Sequence, residues 1–213
     1  MKKDLTELVF ILDRSGSMAG LESDTIGGFN GMLAKQRKEP GEARVTTVLF
    51  DNRYELLHDR IPLQGVSPMT EKQYYVRGCT ALYDAVGMTI QKLVNVQRMT
   101  AESEQAEKVI FVIITDGLEN ASREYSQPVL KKMISYQQEK YGWEFIFLGA
   151  NMDAVKEAGK FGIYEDRAVT YENDSEGVRL NYAVMADTVA CMRKSSKRVN
   201  GNWKRKIEAK SKK

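Results

Sequence analysis

Leu8-Val9-Phe10-Ile11-Leu12-Asp13-Arg14-Ser15-Gly16-Ser17 is a strand-length apolar run that ends in a carboxylate and two hydroxyls. Because the run is continuously apolar, it reads as a strand covered on both faces, as in a parallel sheet. Asp13, Ser15 and Ser17 then gather where the strand emerges into a loop, which outlines a site for a hard cation.

Two other stretches share this logic. Val109-Ile110-Phe111-Val112-Ile113-Ile114 runs into Thr115-Asp116-Gly117, and Gly78-Cys79-Thr80 precedes a helix-like segment, so three segments can meet at one ion. Working outward, strand-like and helix-like blocks alternate. A strand at about 6–12 is followed by a helix at about 20–37, where Ile26, Phe29 and Leu33 recur at helical spacing. Gly27, Gly28 and Gly31 weaken that helix by propensity, so they read as sites of close packing. Arg44–Phe50 and Tyr54–His58, joined by Asp51-Asn52-Arg53, have the composition of an antiparallel hairpin, with one strand at a sheet edge.

A helix at about 81–98 is expected next, with Thr80 as its N-cap, and then a strand at 108–115. Ser126 and Pro128 open a helix to about 140, and a strand covers Trp143–Leu148. Asn151 is expected to cap a short helix ending near Gly159. A short strand at Ala168–Tyr171 leads into a helix from Ser175, where Val178, Tyr182, Met185, Val189 and Met192 repeat at four and three residues. Apolar strands alternating with helices indicate an α/β protein whose mainly parallel sheet is covered on both faces. Ligands of such folds sit beyond the carboxyl ends of the strands, where Asp13 and Asp116 both lie.

The chain has 213 residues, 42% of them apolar, enough for one large core. Its longest apolar runs fall well short of the roughly 20 residues of a membrane span, and Met1-Lys2-Lys3-Asp4 lacks a secretory apolar segment. A cytoplasmic location is therefore expected. Cys79 and Cys191 lack C-x-x-C spacing and His58 is the one histidine, so a Cys/His zinc site cannot be assembled. Both thiols read as reduced. Net charge is +3, but residues 193–213 hold ten Lys/Arg against Glu208 and so carry +9, leaving −6 on residues 1–192.

Asp13-Arg14-Ser15-Gly16-Ser17-Met18, Gly78-Cys79-Thr80-Ala81-Leu82-Tyr83-Asp84-Ala85 and Thr115-Asp116-Gly117, in that order, resemble the von Willebrand factor A domain and its metal-ion-dependent adhesion site. The resemblance spans roughly residues 5–192 and leaves 193–213 as a basic, flexible tail. It implies a Rossmann-like, doubly wound sheet of about six strands with one antiparallel edge strand. It also implies that Ser15, Ser17 and Thr80 give hydroxyl ligands to Mg²⁺ or Mn²⁺, with Asp13 and Asp116 near the ion directly or through water. An ion held by neutral hydroxyls stays electrophilic and captures an Asp or Glu of a partner protein, which is the family's adhesion mechanism. The expected protein is a monomeric binding module and not an enzyme.

Taken singly, each motif has a plainer reading: Ser15 or Ser17 as a helix cap, Thr80 as an N-cap, Asp116-Gly117 as a turn. Their joint occurrence carries the metal site. Arg14 reads as a solvated arginine, Met18 as a core residue, and Glu119, Asn120 and Asn151 as rim residues without a ligand role. A phosphotransfer site would need a second acid where Ser15 stands. A serine hydrolase would need a histidine base, and His58 is expected on the surface of the peripheral hairpin. Neither Gly27-Gly28 nor Gly159-Lys160-Phe161 completes a phosphate-cradling loop. The second functional reading is nucleic-acid binding through the tail, where Lys194, Lys197, Arg198, Lys204, Arg205, Lys206, Lys210, Lys212 and Lys213 surround Trp203.

Overall fold

In a computed structural model, which describes residues 1–195 and 198–210, a six-stranded sheet has the order β3-β2-β1-β4-β5-β6. The strands are β1 (Lys2–Asp13), β2 (Glu42–Phe50), β3 (Tyr54–Pro62), β4 (Ala106–Thr115), β5 (Glu144–Ala150) and β6 (Ala168–Tyr171). All neighbours pair in parallel except β3, which runs antiparallel to β2 at the edge. The helices are α1 (Glu22–Gln36), α2 (Leu82–Met99), α3 (Gln127–Tyr141), α4 (Ala154–Lys160), α5 (Ser175–Lys194) and α6 (Arg205–Lys210). This is the Rossmann-like architecture expected, and no described helix is long and apolar enough to cross a membrane.

Strand pleating sorts the apolar run of β1 into two cores. Leu8, Phe10 and Leu12 join Phe29, Met32 and Leu33 of α1 and Val178, Met185 and Val189 of α5. Val9 and Ile11 face the other way, with Leu82, Val86 and Ile90 of α2 and Leu130 and Ile134 of α3. Each such fully buried side chain contributes about 1.5–3 kcal/mol relative to exposure, which is why a continuous apolar run is needed here. The chain leaves β1 for β2 on one side and returns through β4 on the other. The carboxyl ends of β1 and β4 therefore flank the crevice at the switch in strand order.

Of the three glycines of α1, Gly28 alone has the close-packing role: a Cβ there would lie 2.4 Å from the Tyr182 ring of α5, whereas Gly27 and Gly31 face open space. The short helix α4 is capped by Asp153, whose carboxylate accepts from Lys156 N, and not by Asn151. Asn151 instead takes a positive φ of 55° at the end of β5.

His58 is buried, 5% exposed, with Nδ1 3.0 Å from Thr47 Oγ1, contrary to the expectation of a surface histidine. The chain after Pro62 folds back over the edge strand, bringing the Ser67 backbone to the ring, and burial holds its pKa below the ordinary value. The C-terminal segment also departs from expectation. Over the described residues 198–210 it is docked: Ile207 is 2% exposed in the α1/α5 core, and Trp203 Nε1 donates to Asp166 O at 3.0 Å. Composition alone hid this, because the apolar residues that anchor the segment, Val199, Trp203 and Ile207, are outnumbered by cations. Lys197, Lys212 and Lys213 lie outside the described residues.

Candidate metal centre

Beyond the ends of β1 and β4 the structure brings Asp13, Ser15, Ser17, Thr80 and Asp116 together. Asp13, Ser15, Thr80 and Asp116 are almost fully buried, and Ser17 is exposed at the mouth. Ser15 Oγ lies 3.1 Å from Ser17 Oγ and 3.1 Å from Thr80 Oγ1. Ser17 Oγ donates to Asp116 Oδ1. Gly117 keeps this cluster open, since a Cβ there would lie 2.7 Å from Thr80 Oγ1.

Each carboxylate is aimed by neighbours inside and outside the motifs. Asp13 Oδ1 accepts from Ser15 N at 2.7 Å and its Oδ2 from Thr115 Oγ1 at 2.6 Å, while Tyr74 OH donates to the Asp13 carbonyl at 2.5 Å. Asp116 Oδ2 accepts from Asn173 Nδ2 at 3.3 Å, from the loop between β6 and α5. Burial pushes the Asp13 carboxyl up to about 6, against the opposing hydrogen bonds from Thr115 and Ser15, and nearby Asp116 pushes the same way. Burial also raises Asp116, opposed by Ser17 and Asn173.

Arg14, next to Asp13 in the chain, does not counter this rise. It is not solvated as expected but fully buried, with Nε on Asp51 Oδ2 at 3.0 Å and Nη2 on Glu55 Oε2 at 2.7 Å. The hairpin supplies these carboxylates from far along the chain, which is why sequence reading missed the pairing.

Thr80 is not the N-cap of α2 either. Ala81 holds that position without a side-chain cap, and Glu119 serves the first turn instead, accepting from Tyr83 N at 2.9 Å. Glu119 also accepts from Ala121 N and Ser122 N, so its carboxylate is committed to the loop. Asn120 holds Thr80 through both backbone groups, its Oδ1 accepting from Thr80 N at 2.9 Å and its N donating to Thr80 O at 3.0 Å. With its backbone fixed and α2 capped from elsewhere, Thr80 turns its hydroxyl toward Ser15.

Tyr74 and Asn173 are site-shaping residues that sequence reading did not single out, while Thr115 reads there only as a member of its motif and Asn120 only as a rim residue. Thr115 and Asn173 carry a usable signal, since both are polar residues at or just beyond the carboxyl ends of sheet strands. Among the described residues no group of three or more His, Cys, Asp or Glu could hold a metal. Any ion here depends on the hydroxyls. Cys79 and Cys191 are both exposed free thiols.

A doubly wound sheet with hydroxyls and two acids at its switch point defines a class, and solved structures agree on it. The chain has the von Willebrand factor A fold. It is similar to the vWF domain of the type V pili tip protein Mfa5 from Porphyromonas gingivalis, with TM-score 0.61, 11% identity, and coverage of 91% of this chain and 98% of that one. It is also similar to proximal thread matrix protein 1 from the mussel byssus, solved with a zinc-occupied MIDAS motif, with TM-score 0.59, 14% identity and 87% of this chain covered. The chain spans 46% of that protein's length. Manganese-loaded TRAP protein from Plasmodium vivax matches 70% of this chain and 58% of its own, at TM-score 0.50 and 18% identity. No family model and no curated protein matches the sequence.

Proposed function

We propose that the protein is a metal-dependent protein-binding module, with Ser15, Ser17, Thr80, Asp13 and Asp116 holding Mg²⁺ or Mn²⁺ directly or through water. The observation that carries this reading is the spacing of the hydroxyls. Adjacent ligands of an octahedral ion with bonds of about 2.1 Å lie about 3 Å apart, and Ser15 Oγ stands 3.1 Å from both Ser17 Oγ and Thr80 Oγ1. Two carboxylates balance a divalent charge, and both have their acidity suppressed by burial, as expected of groups that lack a counter-ion. Zinc and manganese in the mussel and Plasmodium structures support a divalent ion in general. Oxygen-only donors favour magnesium or manganese here.

When bound, the ion supplies a Lewis-acidic position for a carboxylate oxygen of a partner's Asp or Glu. The chain's own residues prepare that position. Ser17 sits at the exposed mouth, while the burial of Asp13 and Asp116 keeps the charged groups below the neutral hydroxyls. The reading is of a binding module and not an enzyme, with His58, the one histidine, engaged by Thr47 on the hairpin. The cytoplasm is the setting we assign to it.

Nucleic-acid binding through the tail is less well supported. Lys204 Nζ donates to Glu165 O and Ala168 O, Lys210 pairs with Asp174 and Glu176, Arg198 with Asp166, and Lys194 with Glu39. Lys194, Arg198 and Lys210 are thus paired with acids of the body.

Affinity capture from host lysate tests the proposal, using wild type in Mg²⁺, wild type in EDTA, and Asp13→Ala in Mg²⁺. A partner held only in the first, and lost when one of its own acids is changed to Ala, is the expected result. Equal recovery in all three would sink metal-dependent capture.

A further inference from the structure

We infer that Arg14, Asp51 and Arg77 are positioning residues that set the Thr80 hydroxyl against Ser15 and Ser17, and so tune metal affinity; this rests on the metal reading above. None of the three is a ligand, and all act through the backbone between Arg77 and Ala81.

Asp51, in the turn between β2 and β3, is fully buried and gathers three donors. Its Oδ2 accepts from Arg14 Nε at 3.0 Å and from Arg77 Nε at 2.7 Å, and its Oδ1 accepts from Arg53 N at 2.8 Å. Arg14 Nη1 also reaches Gln73 O at 3.3 Å. The Tyr75 ring covers this pair of arginines, its centroid 5.4 Å from Arg14 Cζ and 5.2 Å from Arg77 Cζ.

The backbone is stitched to the same groups. Arg77 N donates to Arg14 O at 2.9 Å, Gly16 N to Gly78 O at 3.2 Å, and Ala81 N to Asp51 O at 2.9 Å. The segment carrying Thr80 is therefore tied on one side to the loop carrying Ser15 and Ser17 and on the other to the hairpin turn. Gly78 shows how closely these pieces meet: at φ +68°, a Cβ there would lie 2.3 Å from Asn52 Oδ1.

A buried ion-pair cluster is weak as a source of net stability, because desolvation offsets most of its attraction. It is strong as a device that permits only one arrangement, since breaking it leaves a charge uncompensated. Magnesium tolerates little departure from octahedral geometry. A cluster that fixes the relative placement of two hydroxyl-bearing loops thereby sets how well their oxygens match the ion.

The test is direct Mn²⁺ titration, with free ion read by electron paramagnetic resonance, on wild type, Arg77→Gln, Asp51→Asn and Leu93→Ala. Leu93 is buried in the core around α2, about three turns along the helix from Leu82, so its variant reports general loosening. Melting temperatures in EDTA are measured for all four. Arg77, one-third exposed, can be changed without burying an orphan charge, so its variant carries the test if Asp51→Asn fails to fold. The expected result is a loss of Mn²⁺ affinity of about tenfold in Arg77→Gln, in the range that outer partners of metal sites command. Leu93→Ala should lower the melting temperature and leave affinity within twofold. Wild-type affinity in Arg77→Gln overturns the inference alone, as does a loss that tracks melting temperature equally in Arg77→Gln and Leu93→Ala. A wild type that binds no Mn²⁺ overturns the metal reading and this one with it.

Discussion

Ser15 Oγ and Thr80 Oγ1 lie 3.1 Å apart although 65 positions separate them in the chain. One follows the central strand β1 and the other precedes α2, and the contact exists because both loops open at the same end of the sheet.

Asp13→Asn should abolish stabilisation by Mg²⁺ without unfolding the metal-free protein. The buried carboxylate is costly in the absence of an ion, as its raised pKa shows, so a neutral isostere leaves the metal-free fold as stable as wild type or more so. Melting curves with and without Mg²⁺ measure this. A variant that keeps the full metal-induced shift would refute it.

Thr115→Val removes the hydroxyl that donates to Asp13 Oδ2 at 2.6 Å. Losing such an outer partner weakens metal binding by about 10- to 100-fold, and the loss for Asp13→Asn should be larger. Isothermal titration of Mn²⁺ into both variants gives the ranking, and the reverse order would contradict the placement of Asp13 in the site.

The metal-free protein should lose stability as pH rises from about 4 toward neutrality. Asp13 has its folded pKa raised from 3.8 to about 6, so the folded state binds the proton more tightly than the unfolded chain. That contribution is fully present below the unfolded value and is lost as pH passes through about 6. A shift of this size corresponds to about 3 kcal/mol as an upper estimate. Metal affinity should run the other way, falling below pH 6 as protons compete for the carboxylate. Urea unfolding in EDTA and Mn²⁺ titration across pH 4.5 to 8 read the two trends, and a flat stability profile would count against a buried, uncompensated Asp13.

Gly28→Ala should destabilise the protein with or without metal. Its Cβ would fall 2.4 Å from the Tyr182 ring, so α1 and α5 must separate or the tyrosine must move. Overpacking of this kind costs about 1–3 kcal/mol. The same change at Gly31, which faces open space, should raise helix propensity and cost nothing; urea midpoints for the two variants compare them.

Ile207→Ala should cost about 2 kcal/mol, the low end for truncating a buried aliphatic side chain, because Ile207 is 2% exposed against the core. Equal urea midpoints for the variant and wild type would show the segment to be undocked in solution.

Residue order alone determined the sheet's interior and which residues gather at its switch point. Apolar runs such as 8–12 and 109–114 have no alternative to burial on both faces, and helical spacing marks the segments that cover them. Asp13, Ser15, Ser17, Thr80 and Asp116 were legible because each belongs to a short local pattern at a strand end or before a helix. What lay beyond reading was the partner of each polar group. Arg14 looks solvated until the hairpin delivers Asp51 and Glu55, and Thr80 looks like a cap until Glu119 takes that duty from the loop after β4. His58 looks exposed until the chain beyond Pro62 folds over it, and the basic tail looks free until the acidic residues of the body receive it. Apolar burial follows from a residue's own neighbours in sequence, whereas a buried charge is tolerable only beside a particular counter-charge, and that neighbour is chosen by the tertiary fold.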